Sequence, residues 1–267
     1  MTKCTPCRPF PTARDDEAVA RRIADTPQTR SPSYRLAFAD LDFLLQDDLR
    51  PVRLQLELLK PELAFQEEQI ESTIVVFGSA RTPAPESGSG NPEKIAIYEE
   101  ARRFARMMSE RRTDDGLRNV IVTGGGPGIM EAANRGAQEA GGRTVGLNIV
   151  LPHEQAPNPY ITPELSFQFH YFAIRKMHFL MRARALVCFP GGFGTMDELF
   201  ETLTLIQTGK VVPIPVLLFR EAWWRRIINF EAMAEEGVIA HSDLKIFRFV
   251  ETAEEACAAI EEFFGES

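Results

Sequence analysis

The chain has 267 residues, of which 44% are hydrophobic and 25% charged, the proportions of an ordinary soluble globular protein with ample length for a buried core. Its formal net charge of -8 argues against a nucleic-acid-binding surface, which needs clustered Lys and Arg. The amino terminus lacks the apolar core of a signal peptide, and no later run is long enough to cross a bilayer. We therefore predict a cytoplasmic protein that binds neither nucleic acid nor membranes.

The four cysteines give little support for a metal site. Cys4 and Cys7 have the spacing of half a zinc site, but no second pair follows at usable spacing. Cys188 lies in an apolar run and is interpreted as a small core residue. We prefer a mobile tail as the interpretation of the first pair, and we predict no metal.

The first seventy residues divide into two stretches. Residues 1–31 are rich in Pro, Thr, Arg and Asp and predict a poorly ordered arm. Residues 32–70 carry apolar residues at helical spacing, with Pro51 at a helix start and Pro61 placed to end or bend that helix. The apolar faces of this extension pack either on the main domain, as a helical cap, or on another subunit, and we prefer the cap.

Residues 71–267 alternate between short apolar strands and amphipathic helices. The predicted strands lie at 72–78, 119–123, 143–149, 165–170, 185–189, 214–219 and 247–250. The predicted helices lie at 92–112, 129–140, 172–184, 196–206, 221–235 and 252–264. This order indicates one α/β domain with a doubly wound, Rossmann-like parallel sheet flanked by helices. The junction after the first strand, at residues 78–81, lies where such sheets bind ligands.

The stretch from Pro190 to Glu198 joins a strand to a helix through a glycine-rich turn. Glycines let a backbone approach a phosphate closely, and the free N–H groups of a helix start point at it. The cations Arg175 and Lys176 precede the strand, and Asp197 and Glu198 lie just inside the helix. A phosphate site with adjacent carboxylates is therefore predicted. Its turn residues are Gly191, Gly192, Phe193, Gly194 and Thr195.

A second glycine-rich turn follows the strand at 119–123. It resembles a dinucleotide-binding turn, but Pro127 interrupts it and no acidic residue ends the next strand, which disfavours nicotinamide or flavin dinucleotides. Two interpretations stay open, a tight turn that lets two backbones pack and a turn that contacts a ligand. The residues concerned are Gly124, Gly125, Gly126 and Gly128.

Glu198, which follows the glycine-rich turn at residues 190–195, also has a structural interpretation. Thr195 and Glu198 have the spacing of a capping box, in which each side chain accepts a backbone N–H of the helix start. Arg175 could likewise be a surface charge. A helix cap, however, needs neither several glycines before it nor an Arg-Lys pair upstream.

Three motifs together resemble the LOG family, whose members share a Rossmann-like domain and many of which carried the label "lysine decarboxylase". Pro190–Glu198 matches its PGGxGTxxE motif, Gly124–Glu131 its second motif, and Arg175-Lys176 its Arg-Lys pair. The resemblance covers roughly residues 72 to 264. It implies hydrolysis of the N-glycosidic bond of a nucleoside 5′-monophosphate to free base and ribose 5-phosphate, without a cofactor.

The resemblance also implies roles for individual side chains. Glu198 would stabilise the oxocarbenium-like sugar and orient or activate water. Its neighbour Asp197 would hold a ribose hydroxyl. Arg175 would hold the substrate and offset charge on the leaving base, and Lys176 would assist with the phosphate. Glu154, in a proline-rich loop, matches by position a family glutamate that contacts the nucleotide.

One departure bears on the substrate. Ala173 and Ile174 stand where many family members have His-Glu directly before Arg-Lys. AMP is the expected substrate, and cytokinin-type riboside monophosphates are further candidates. The resemblance also implies a homodimer. The decarboxylation that the old label names would need pyridoxal phosphate bound to a lysine as a Schiff base. Nothing in the sequence marks one lysine for that role. The alternative function is a non-catalytic carrier of a nucleotide or of molybdenum cofactor, which would need the phosphate turn but not Arg175 and Glu198.

Overall fold

The computed structural model describes residues 10–88, 91–111, 118–152 and 156–265. The chain divides into two compact units, Met1–Leu56 and Glu57–Ser267, and the boundary falls inside one helix. The boundaries suggested by the sequence, at residues 31/32 and 70/71, stay a prediction, because compactness alone does not show which part folds independently.

The first unit contains helix α1 (Ala13–Ala20), helix α2 (Leu41–Leu44) and the start of helix α3 (Arg50–Glu67). Helix α1 differs from the poorly ordered arm predicted for this stretch. Thr12 accepts the backbone N–H of Asp15 through its side chain, and the Asp15 carboxylate accepts the N–H of Thr12. This capping box stabilises the helix locally, since α1 buries none of its side chains.

Helix α3 continues past Pro61, where the sequence predicted that it would end or bend. Pro61 and Phe65 are both buried. Burial of this face maintains the helix across the missing N–H of the proline, as tertiary packing commonly overrides local propensity.

The second unit is built on a parallel sheet of seven strands in the order β4-β3-β2-β1-β5-β6-β7. The strands are β1 (Thr73–Phe77), β2 (Val120–Thr123), β3 (Thr144–Ile149), β4 (Ser166–Phe169), β5 (Ala183–Cys188), β6 (Val216–Phe219) and β7 (Phe247–Val250). The predicted α/β fold with a doubly wound parallel sheet is confirmed.

Both faces of this sheet are covered, as a parallel sheet requires. Alternate residues of β1 point to opposite faces, with Ile74 and Val76 in one core and Val75 and Phe77 in the other. The helices of the second unit are α4 (Pro92–Glu110), α5 (Ile129–Glu139), α6 (Phe172–Leu180), α7 (Phe193–Gln207), α8 (Glu221–Ile227), α9 (Phe230–Glu235) and α10 (Ala253–Phe264). None of the described helices combines the length and apolar character needed to cross a bilayer.

Two helices differ from their predicted extent or packing. The helix predicted at 221–235 is split, because Asn229 caps α9 by accepting the N–H of Ala232. Helix α6 ends at Leu180, short of the predicted end at residue 184, and it presents His178 and Phe179 to the core, whereas Met177 and Met181 are exposed.

The strand order reverses at β1, which pairs with β2 on one side and β5 on the other. In doubly wound sheets the crevice at such a switch point, beyond the carboxyl ends of the strands, binds ligands. The backbone N–H of Ser79, after β1, donates to the carbonyl of Pro190, after β5, at 3.1 Å. This hydrogen bond ties together the two segments that leave the sheet at the switch point.

Candidate active site

A cavity of about 1370 Å³ opens at the switch point. The segments that follow β1, β2 and β5 form its walls, together with α4, α6 and α8. The cavity brings together a large part of the predicted site: Gly124, Arg175, Gly191, Gly192, Phe193, Gly194, Thr195, Asp197 and Glu198.

Some cavity residues were not assigned to the site from the sequence, among them Lys94, Arg220, Trp223 and Arg226. Lys94 lies on α4, Arg220 directly precedes α8, and Trp223 and Arg226 lie on α8. Arg220 has a backbone φ of 74°, which is uncommon for a residue other than glycine. Its positive φ is a local irregularity that the sequence around it does not indicate.

The glycine-rich turn leads directly into helix α7, which begins at Phe193 with Gly192 as its N-cap. Among the described residues no side chain caps this end, so its first N–H groups are available to an anion in the cavity. A Cβ added to Gly192 or Gly194 would meet no atom within 4 Å, so the surface of the turn is open. Phe193, which lines the cavity, is 96% exposed.

The capping-box interpretation of Thr195 and Glu198 is wrong. Because α7 begins at Phe193, Thr195 is its third residue and Glu198 lies in the second turn, away from the free N–H groups. Thr195 packs over Gly191, where an added Cβ would lie 2.1 Å from its Oγ1 atom. Glu198 is only 8% exposed and lines the cavity.

Burial raises the pKa of the Glu198 carboxyl to about 7. Arg175 and Lys176 oppose this rise, while Asp197 and Glu201 add to it. At neutral pH both protonation states of Glu198 are therefore populated, which suits a group that accepts or donates a proton during a reaction.

Arg175 reaches the cavity wall from helix α6. Its Nε atom donates to the carbonyl of Leu147 at 2.7 Å, and its guanidinium lies 5.2 Å from the centre of the Phe179 ring. A Cβ added to Gly124 would lie 2.7 Å from the Nη2 atom of Arg175. Gly124 thus provides the space that the guanidinium occupies.

Lys176 lies outside this cavity. Its Nζ atom donates to Asp197 at 2.8 Å and pairs with Glu201 at 3.0 Å, which links α6 to α7. It borders a separate surface depression together with Phe193 and Asp197. The contact with a substrate phosphate that the sequence suggests for Lys176 stays a prediction.

The glycines of the turn after β2 have different surroundings. Gly124 lines the cavity, whereas Gly125, Gly126 and Gly128 are buried and do not line it. Gly125 and Gly128 have positive φ values of 77° and 71°, and a Cβ on Gly128 would lie 2.3 Å from the carbonyl oxygen of Ser79. The packing interpretation therefore suits these three glycines, and ligand contact suits Gly124.

Buried amides hold this turn in place. The Asn158 side chain donates to the carbonyls of Gly125 and Gly126 and, at 2.9 Å, to Oδ1 of Asn134. The same Oδ1 atom accepts the hydroxyl of Thr123 at 2.7 Å, and that hydroxyl accepts the N–H of Gly125. The network fixes the peptide groups directly after Gly124.

Glu154 lies outside the described residues, as do its two neighbours in the sequence. Its assignment to the nucleotide stays a prediction.

The fold and cavity define a Rossmann-like α/β protein with a glycine-rich helix start and a buried carboxyl at its switch point. Residues 130–260 match the family described as "Possible lysine decarboxylase". The cytokinin riboside 5′-monophosphate phosphoribohydrolase LOG of Oryza sativa subsp. japonica is 27% identical over 182 residues, 67% of this chain and 72% of that protein. LOG7 of Arabidopsis thaliana, of the same description, is 28% identical over 179 residues, 66% of this chain and 79% of that protein. The chain is therefore similar to LOG proteins over about two thirds of its length.

Two solved structures show the same fold at low identity. The molybdenum cofactor binding protein of Rippkaea orientalis is 18% identical, with a TM-score of 0.50, and the match covers 73% of this chain and 98% of that protein. The molybdenum cofactor carrier protein of Chlamydomonas reinhardtii gives the same identity and TM-score, over 73% and 99% of the two chains. At this identity the likeness shows the fold alone.

Proposed function

We propose that the protein hydrolyses the N-glycosidic bond of a nucleoside 5′-monophosphate, releasing the free base and ribose 5-phosphate. The observation that carries this proposal is a buried carboxyl, Glu198, in one cavity with an uncapped, glycine-rich helix start. The LOG proteins of Oryza sativa and Arabidopsis thaliana that the chain resembles are named as phosphoribohydrolases, which supports the same reaction class.

The phosphate of the substrate would bind at the start of helix α7. The open surface at Gly192 and Gly194 and the free N–H groups of residues 192–195 suit a 5′-phosphate, which the helix dipole also favours. Binding energy gained at the phosphate would fix the sugar relative to Glu198, although the phosphate is remote from the bond that breaks.

Glu198 would act on the attacking water. As the C1′–N bond breaks, the ionised carboxylate stabilises the oxocarbenium-like sugar. It takes a proton from the water as the new C1′–O bond then forms. The base leaves with the electron pair of the C1′–N bond and takes up one proton, which balances the proton that Glu198 accepts from the water. Arg175, on the same cavity wall as Gly124, would offset the negative charge on the departing base.

Further features of the proposal are the substrate and the assembly. AMP is the first substrate to test, and cytokinin riboside monophosphates follow from the names of the relatives. Asp197 would hold a ribose hydroxyl. We also propose a homodimer, supported by large apolar side chains exposed near the cavity and along α6, namely Phe172, Met177, Met181 and Phe193. Light scattering of the purified protein would give its oligomeric state.

The test is incubation with AMP, GMP, CMP and UMP, followed by chromatography for the free base. Glu198→Gln keeps the shape of the side chain and removes its charge. Glu262→Gln is the matched control, because Glu262 is an exposed residue of α10 that pairs with Arg248. We expect base release by the wild type and by the control variant, and release lower by about 100-fold or more by Glu198→Gln.

The alternative is a carrier that binds a nucleotide or molybdenum cofactor without cleaving it. A carrier would use the same helix start, but it has no need of a buried carboxyl with a raised pKa beside an arginine. Tight nucleotide binding without base release from any of the four nucleotides would overturn the hydrolase proposal and favour the carrier.

A further inference from the structure

Helix α6, which carries Arg175, is held at its start by a carboxylate of helix α3. The two carboxylate oxygens of Glu57 accept the backbone N–H groups of His170 and Tyr171, at 2.7 and 3.0 Å. Within the described residues no side chain of the α6 segment itself caps this end. The carbonyl of Tyr171 accepts the N–H of Arg175 at 3.2 Å. Glu57 is therefore two hydrogen bonds from the backbone of Arg175.

A second carboxylate of α3 holds the chain just beyond the other end of α6. The oxygens of Glu62 accept two hydrogen bonds from the guanidinium of Arg182, at 2.5 and 2.7 Å. Arg182 also donates from Nε to the carbonyl of Ile70 at 3.1 Å. The hydrogen bonds that Arg182 donates to the Glu62 carboxylate lower the pKa of Glu62 to about 2. The pair is four-fifths buried on each side, which makes it stronger than an exposed ion pair.

The part of α6 between these anchors orients the arginine side chain. Phe179 is 1% exposed and lies under the Arg175 guanidinium, and the Phe77 ring meets it edge-on, with the ring centres 4.7 Å apart. A rotation or shift of α6 would move the Phe179 ring and the Arg175 backbone together. The orientation of the guanidinium in the cavity wall is therefore tied to the seating of α6 on α3.

We propose that Glu57 is a positioning residue, which together with the Glu62 anchor holds α6 where it presents Arg175 to the cavity. Neither of them is among the described residues that line the cavity, so their effect is transmitted through the helix. The expected effect on the rate rests on the proposed phosphoribohydrolase function, whereas the effect on α6 does not.

The kinetic test uses Glu57→Gln, which removes one of the two acceptor oxygens and places an NH₂ group against a backbone N–H. The control is Glu67→Gln, an exposed residue of the same helix. We expect kcat for AMP to fall about 10- to 100-fold, because small displacements of a catalytic group have effects of this size, with KM changed by less than about threefold. Glu67→Gln should match the wild type. A kcat for Glu57→Gln equal to that of the wild type would overturn the proposal.

Hydrogen exchange on the full chain separates this proposal from the proposed function. In Glu57→Gln, the amides of residues 170–176 should exchange at least tenfold faster than in the wild type, and in Glu67→Gln they should not. If the wild type releases no base, the proposed function fails and the exchange result alone decides whether Glu57 holds α6. Wild-type exchange rates in Glu57→Gln would overturn the positioning role.

Discussion

Gly124 and Arg175 share one place in the wall of the cavity. A Cβ on Gly124 would lie 2.7 Å from Nη2 of Arg175 and 2.9 Å from Sδ of Met130. Gly124 therefore affects the candidate site in two ways. It leaves space for the Arg175 guanidinium, and its own backbone lines the cavity.

Gly124→Ala should displace the Arg175 guanidinium and lower kcat/KM for AMP by about 10-fold or more, as expected for a shifted catalytic group. Steady-state kinetics would measure this loss. A double-mutant cycle with Arg175→Ala provides the control, because the added methyl group should have little further effect once the guanidinium is absent. Equal losses in the two backgrounds would show that Gly124 acts independently of Arg175.

The raised pKa of Glu198 gives a pH dependence for the reaction. If the ionised carboxylate activates water, kcat/KM should rise about tenfold per pH unit below pH 7 and level off above it, because the pKa of Glu198 is about 7. The pH–rate profile with AMP, corrected for ionisation of the substrate phosphate, would show this. A profile that falls as the pH rises through 7 would contradict the base role and assign Glu198 as an acid.

The same pKa predicts that Glu198 opposes folding at alkaline pH. The folded state holds the proton more tightly than the unfolded state, so stability falls as the pH rises from about 4.5 to about 7. Glu198→Gln should be more stable than the wild type above pH 7, by roughly 3 to 4 kcal/mol, because the pKa rises from 4.5 to about 7 and each pKa unit corresponds to about 1.4 kcal/mol. Urea denaturation at pH 5 and pH 8 would measure this, and equal stabilities at pH 8 would contradict it.

His178 should produce the opposite slope. Burial lowers the pKa of His178, with Arg182 acting in the same direction and the carbonyls of Glu57 and Leu58 and the charge of Glu62 acting against it. Because the unfolded state binds the proton more readily, stability should fall as the pH drops below about 6.5. Thermal unfolding of the wild type and His178→Gln from pH 5 to pH 8 would test this. If His178→Gln loses as much stability as the wild type when the pH drops below about 6.5, the loss belongs to other groups.

Asn158 should be a major determinant of stability. Asn158→Ala leaves the carbonyls of Gly125 and Gly126 and Oδ1 of Asn134 without this donor in a buried place, so the free energy of unfolding should fall by about 2 to 4 kcal/mol. Asn229→Ala, which removes an exposed helix cap, should cost only about 1 kcal/mol. Denaturant titration of both variants would make the comparison, and equal losses would contradict the role of the network.

The sheet could be predicted from the sequence because its strands are buried on both faces. Runs such as Ile74-Val75-Val76 are continuously apolar and β-branched, and the glycines and prolines around them mark where strands end. The place of Glu198 follows from the same topology, since it lies just after β5, which pairs with β1 at the switch point. Arg175 reaches the same cavity from α6, which follows the edge strand β4, and the strand order alone does not predict this.

Other features depend on contacts that local sequence does not encode. Thr195 and Glu198 have the spacing of a capping box, yet the turn packs so that α7 begins at Phe193, two residues before Thr195. The Glu57 contact to the start of α6 joins residues more than a hundred positions apart. Spacing within a motif cannot indicate either arrangement, because both are decided by tertiary packing.

The most direct measurement is the quantity of adenine and of ribose 5-phosphate formed from AMP by the wild type and by Glu198→Gln. We expect the two products in equal amounts from the wild type, and a loss of about 100-fold or more in the variant, the range typical of a missing general base. Release of phosphate and adenosine instead, or equal rates from both proteins, would contradict the assignment of Glu198 as the group that activates water for cleavage of the glycosidic bond.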